Sequence, residues 1–190
     1  MKVILLAAGK SSRTSTMKQL YRVGDEYLIN IQIKILHSYG FDVGVVLGHH
    51  YEKISKILND NITLIHNENY EDGMFSSVKK AFYTLDDDAL IFCHIDRPIP
   101  DLLVFKQLLQ SVSPVAVAFY NGKKAPPIYI HSSLKEQLLQ SKYQRLDHWI
   151  ETRNRVEYVN VNDAKVHYNA NTDEELAAYF NVKFYDTIFR

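Results

Sequence analysis

A single cysteine, Cys93, stands among the 190 residues, so the chain has no intramolecular disulfide framework and no Cys-rich metal site. A lone thiol fits a reducing compartment, and Cys93, at the end of an apolar run, reads as a buried structural group. Net charge is also lacking. Lys plus Arg and Asp plus Glu both total 22, and this balance calls for no nucleic acid, membrane surface or polyanionic partner. The eight histidines show no metal spacing, and the adjacent His49 and His50 read as loop residues. Long apolar runs are missing too. The run that follows Lys2 has ended by Gly9, too short for a signal sequence or a membrane span, so a cytoplasmic protein is expected. No repeat or low-complexity linker divides the chain, and its length suits one domain, 1–190, with a core that needs no staples.

What is present is an alternation of apolar, strand-like runs with amphipathic stretches, the rhythm of an α/β sheet with helices on both faces. Strands are expected at Val3 to Leu6, Val43 to Leu47, Ile62 to Ile65, Ala89 to Cys93, Val115 to Phe119 and Ile128 to Ile130. Leu28, Ile31, Ile35 and Leu36 fall on one helical face, as do Ile54, Ile57 and Leu58, and Leu102, Phe105, Leu108 and Leu109. In such a sheet ligands gather at the carboxyl ends of the strands, which directs attention to the segments after Leu6 and Cys93.

The first of these is Leu5-Leu6-Ala7-Ala8-Gly9-Lys10-Ser11-Ser12-Arg13, with Lys18-Gln19-Leu20 beyond it. Small residues at a strand end let a ligand approach the backbone, Gly9 can turn amides toward an anion, and Arg13 and Lys18 supply charge for phosphate oxygens. A P-loop is excluded because it needs glycine where the chain has Ile4, and a dinucleotide fingerprint because its second and third glycines are absent. A second segment, Asn67-Glu68-Asn69-Tyr70-Glu71-Asp72-Gly73-Met74-Phe75-Ser76-Ser77, runs into a helical stretch expected over Val78 to Leu85. Free amides and two hydroxyls can hold a base edge, ribose or phosphate there, and the same residues also make an ordinary helix cap. The third, His94-Ile95-Asp96-Arg97-Pro98, puts a carboxylate at a strand end, where one acid suffices for Mg²⁺ that completes its shell with water and phosphate. His94 reads as a packed residue rather than a catalytic one. In the fourth, Tyr168 to Leu176, Thr172 followed by acids reads as a helix start.

Leu-Ala-Ala-Gly-x-Ser-x-Arg with Lys18 five residues on resembles the signature of the MobA-like nucleotidyltransferases. Asn-x-x-aromatic-x-x-Gly-Met-x-Ser-Ser resembles the molybdenum cofactor cytidylyltransferase branch of that family. Asp96 and Pro98 match its Asp-x-Pro metal element. Asn169 and Asn171 stand where its late element often has aspartates. Ser15 replaces a usual glycine, and Lys124-Ala125-Pro126-Pro127 stands where the branch has Gly-His-Pro on the acceptor side.

The resemblance implies a three-layer α/β/α sandwich with a mainly parallel sheet, of the nucleotide-diphospho-sugar transferase (GT-A-like, Rossmannoid) type. It implies Mg²⁺-dependent transfer of a nucleoside monophosphate from an NTP, CTP or GTP, to a small phosphorylated acceptor such as molybdopterin cofactor. Arg13, Lys18 and Asp96 would be catalytic, Leu6, Ala7, Ala8, Gly9, Gly73, Ser76 and Ser77 would bind nucleotide, and Asp96 with Asn171 would hold the metal. A sugar- or alditol-phosphate acceptor stays open, as does a nucleotide-binding regulator that has lost transfer. Lys123 and Lys124 are either acceptor-phosphate contacts or a solvated tip. Tyr143, Trp149, Phe180, Phe184, Tyr185 and Phe189 read as packing, and the tail is expected to cover a sheet edge or the partner in a homodimer.

Overall fold

The computed structural model of the chain describes residues 1–58 and 61–181. The chain opens with β1 (Lys2–Leu6), a small hairpin of β2 (Arg22–Val23) and β3 (Glu26–Tyr27), and α1 (Leu28–Ser38). Next come β4 (Asp42–Leu47), α2 (Tyr51–Ser55), β5 (Thr63–His66), α3 (Met74–Thr84), β6 (Ala89–His94) and α4 (Leu102–Leu109). The remainder comprises β7 (Val115–Tyr120), β8 (Lys123–His131), α5 (Lys135–Leu139), α6 (Leu146–Glu151), β9 (Val156–Asn160) and α7 (Asp173–Tyr179).

Seven strands form one sheet in the order β5-β4-β1-β6-β8-β7-β9. The pairs β5-β4, β4-β1, β1-β6 and β7-β9 are parallel, and β8 runs antiparallel to both neighbours. Pro126 and Pro127 fall in a register shift of β8, where Ile128 pairs with Val117 and Ala125 with Ala118, so neither proline is asked for a ladder N–H it lacks.

β1 explains the layering. Val3 and Leu5 point into one core with Ile33, Ile35 and Phe105, while Ile4 and Leu6 point into another with Phe75, Phe82 and Trp149. A strand apolar on both faces is covered on both faces, and the helices pack in two layers around the sheet. This is the three-layer, mainly parallel arrangement that the apolar runs imply.

Some expectations shift. β5 begins at Thr63, and the helix expected from Val78 begins at Met74 and ends at Thr84. On α4 the buried face is Val104, Phe105 and Leu108, whereas Leu109 is exposed, because Val104 takes the inward position one turn before Leu108. Trp149 and Phe180 are buried as expected, but Tyr143 is exposed. Cys93 is buried and unpaired, and desolvation raises its pKa. Phe184, Tyr185 and Phe189 lie outside the described residues. Among the described residues no helix is long and apolar enough to cross a membrane.

Candidate active site

Leu6 of β1 lies opposite His94 of β6, so these neighbouring parallel strands deliver their following loops to the same place. A cavity of about 310 Å³ opens there, walled by Leu6, Ala8, Gly9 and the loop to Lys18, by Tyr70, Gly73, Met74 and Ser77, and by His94 to Asp96. Three of the segments singled out in the sequence therefore meet, and the fourth reaches them through Asn171.

In the first loop the left-handed turn expected at Gly9 falls instead at Ser11, with φ 53°. Ser11 is held there by its own contacts: its Oγ accepts from the Lys18 N–H at 3.0 Å, and its carbonyl accepts from the Thr14 N–H at 3.1 Å. Gly9 contributes space, since a Cβ on it would meet no atom within 4 Å. Buried Gln19 donates its amide to the carbonyls of Ala7 at 2.6 Å and Gly9 at 3.2 Å, pinning the loop on both sides of Ala8. Ala7 itself is buried off the cavity wall, its N–H bonded to the Val46 carbonyl at 2.9 Å.

The charged groups converge. Lys18 Nζ lies 3.2 Å from Asp96 Oδ2 and 3.3 Å from Asn171 Oδ1, and an Arg13 guanidinium N–H donates to the same Asn171 oxygen at 2.7 Å. The Lys18 side chain is only 9% exposed and that of Asp96 26%, so the ammonium depends on the carboxylate more than the carboxylate on it. Thr172 and Glu175 build a capping box at the start of α7, and the Glu175 carboxylate accepts from the Asn171 N–H at 2.7 Å, which presents the Asn171 side chain to the cluster. The Ser15 N–H donates to both Asp173 oxygens, at 3.0 and 3.1 Å, and ties the first loop to the same helix start.

In the second segment, buried Asn67 donates to Ser76 Oγ at 2.8 Å and Ser77 Oγ at 2.9 Å. Ser77 lines the cavity, but Ser76 turns away and donates to the Gly73 carbonyl at 2.7 Å. Gly73, with φ 90°, makes the turn into α3 that a side chain would strain. Tyr70 forms a further wall and packs so closely on Gly48 that a Cβ there would lie 2.5 Å from the Tyr70 Cβ.

Sequence reasoning missed Gln32. Fully buried on α1, it donates to the carbonyls of Ile95 at 3.2 Å and Arg97 at 2.9 Å, bracketing Asp96 as Gln19 brackets Ala8. A glutamine between Ile31 and Ile33 in a nearly all-buried helix is the signal that could have found it. His94 faces the cavity with a buried Nε2 that has no partner, and desolvation pushes its pKa down to about 4, leaving the ring uncharged at neutral pH. Asn169 also buries an unpartnered Oδ1. Lys123 and Lys124 are exposed, and Lys124 pairs with Glu151.

Among the described residues no three His, Cys, Asp or Glu side chains group as a metal site. The oxygens of Asp96 and Asn171 nevertheless converge on one cation, the Lys18 ammonium. A carboxylate and an amide oxygen so placed fit a hard divalent ion that takes its other ligands from water and phosphate.

The fold is that of the nucleotide-diphospho-sugar transferases. Within that fold the chain belongs to the family of MobA-like NTP transferase domains, whose family model matches residues 3–157, and it is a nucleotidyltransferase of that family. It is 25% identical over 140 residues to the molybdenum cofactor cytidylyltransferase of Escherichia coli, covering 72% of this chain and 73% of that protein. The crystal structure of Rv0371c from Mycobacterium tuberculosis superposes with a TM-score of 0.82 at 17% identity, covering 94% of this chain and 96% of that one. Rv0371c has also been solved as a complex with manganese. Molybdopterin-guanine dinucleotide biosynthesis protein A from Archaeoglobus fulgidus superposes with a TM-score of 0.74 at 18% identity, covering 95% and 97% of the two chains.

Proposed function

We propose that this chain transfers a nucleoside monophosphate from CTP or GTP to a small phosphorylated acceptor, with Mg²⁺ as the metal and pyrophosphate as the leaving group. The observation that carries the reading is the convergence of Lys18, Arg13, Asp96 and Asn171 beside the backbone loop of Leu6 to Gly9. Cations and a carboxylate at the open end of a parallel sheet are what a triphosphate and its metal require. Relatives named for cytidylyl and guanine dinucleotide chemistry suggest the base, and the molybdopterin of their names suggests an acceptor.

In this reading Leu6, Ala8 and Gly9 hold base and ribose against the strand end, with Ala7 supporting the loop from behind. Gly73 and Ser77 close the opposite wall, and Ser76 fixes the turn. Arg13 and Lys18 neutralise the triphosphate and the departing pyrophosphate. Asp96 and Asn171 would hold the magnesium ion, which would supply charge neutralisation at the phosphates. An acceptor phosphate oxygen forms the new bond to the α-phosphorus as the bond to the bridging oxygen breaks. Pyrophosphate leaves in line with that electron pair. The attacking oxygen is already anionic, so no covalent enzyme intermediate is needed.

Lys18→Ala and Asp96→Asn are the direct test. Each removes charge from the cluster and is expected to lower transfer of label from α-labelled CTP or GTP to molybdopterin by roughly 100-fold or more, with the circular dichroism spectrum unchanged. Wild-type rates in either variant would contradict these roles.

A further inference from the structure

A second cavity, of about 420 Å³, adjoins the first and shares Gly73, Met74 and His94 with it. Its walls are chemically unlike those of the charged cluster. Phe75, Val117, Ala125, Pro126, Ile128 and Ile150 line it, and Pro126, on the β8 wall, offers no N–H donor. The polar side chains at its rim are Gln144 and three charged residues, and the charged ones are already paired. Arg145 donates to both carboxylate oxygens of Asp147, at 3.0 and 2.7 Å, and Lys124 pairs with Glu151. The uncommitted buried polar atom is His94 Nε2, at the border with the nucleotide cavity.

We infer that the acceptor is a phosphate monoester with an apolar ring or hydrocarbon body, carrying its polar groups at the His94 end, and not a polyhydroxylated sugar or alditol phosphate. The inference rests on the transfer reading above and names the class of molecule that enters this side of the cleft. In-line attack places the acceptor phosphate at the border between the two cavities, so the remainder of the acceptor occupies the second one. A hexose phosphate would bring several hydroxyls into that chamber, where the side-chain walls offer partners to few of them, and each buried hydroxyl without a partner is a cost. An apolar body gains from the same walls by leaving water.

Titration calorimetry of the full chain with 1-naphthyl phosphate and with glucose 1-phosphate, each with CTP or GTP and Mg²⁺ present, tests the assignment. Naphthyl phosphate is expected to bind at least tenfold more tightly. Ala125→Phe, which fills the chamber, is expected to remove that advantage, with Ile150→Gln on another wall as the second variant. The rise in melting temperature produced by CTP or GTP with Mg²⁺ reads the nucleotide cavity separately and should persist in both variants. Equal or tighter binding of glucose 1-phosphate, or naphthyl binding untouched by both substitutions, overturns the inference while leaving the nucleotide response in place. If no nucleotide raises the melting temperature but the naphthyl preference and its loss in the variants are seen, the transfer reading falls and the apolar character of the chamber stands.

Discussion

At Gly48 a missing side chain sets the position of a wall. A Cβ there would lie 2.5, 2.7 and 2.8 Å from the Cβ, Cγ and Cδ1 of Tyr70, all near the root of the ring, where no flexible end can move aside. Tyr70 also meets His49, whose Nδ1 lies 3.3 Å from the phenol oxygen, so the ring is held from two directions as it faces the first cavity. Gly48→Ala must displace Tyr70 or the β4 end. Over-packing of this kind costs roughly 1–3 kcal/mol, and the variant should melt several degrees lower in a thermal scan. Its nucleotide affinity should fall as well. Gly44→Ala provides a contrast, since its Cβ would meet Ile4 Cδ1 at 2.7 Å, the far end of a core side chain remote from the cavity. That variant should lose stability without losing affinity, and equal affinity loss in both would refute a particular role for Tyr70.

Among the elements, α7 does most to place a site group it does not contain. Its Thr172 cap accepts from the Glu175 N–H at 3.2 Å, and the Glu175 carboxylate returns to the N–H groups of Asn171 and Thr172. Thr172→Ala removes one half of this box and should cost about 1 kcal/mol. It should also weaken Mg²⁺-dependent nucleotide binding, because Asn171 is then held by less. Thr172→Ser keeps the hydroxyl and should restore both properties, whereas recovery of stability without recovery of binding would separate the cap from the site.

Elements also differ in how far they can be read from the chain. Six strands of the large sheet are legible from apolar runs, which are unbroken where both faces are buried, as in β1 and β6; the edge strand β5 buries only Ile65, and of β8 only Ile128 to Ile130 shows in the sequence. β9 is not, since Val156-Glu157-Tyr158-Val159-Asn160 is an edge strand that buries no residue fully and alternates with polar side chains. β2 and β3 are two residues each, too short to show any period. In the site, the charged and small residues are legible from their positions at strand ends. Gln32 and the turn at Ser11 are not, because each is defined by partners distant in sequence or by a backbone angle that serine does not advertise.

At the scale of the whole molecule, the proposed function would make ligand binding at the cluster a coupled event. Without nucleotide, Asp96 has Lys18 as its partner, and Asn171 has both Arg13 and Lys18. A magnesium ion added alone must compete with the ammonium of Lys18, a side chain only 9% exposed that would be left largely buried without its carboxylate. A nucleotide added alone would draw Lys18 and Arg13 toward its phosphates and leave Asp96 with less compensation. Added together, the triphosphate would take over the cations while the metal took over the two oxygens, and every charge would keep a partner. Binding of the two ligands should therefore be mutually favourable, as linkage requires when one ligand relieves a cost of the other. Ligand binding at about 100 times Kd stabilises the fold by about 2.7 kcal/mol, which for a chain of this length is a rise of roughly 5–10 °C. Melting curves with Mg²⁺ alone, with CTP or GTP alone, and with both should show a combined shift larger than the sum of the separate ones. In Lys18→Ala the competitor is gone, so Mg²⁺ alone should bind more tightly than in the wild type while the synergy shrinks. Additive shifts in the wild type would show that the Lys18–Asp96 contact does not gate the metal.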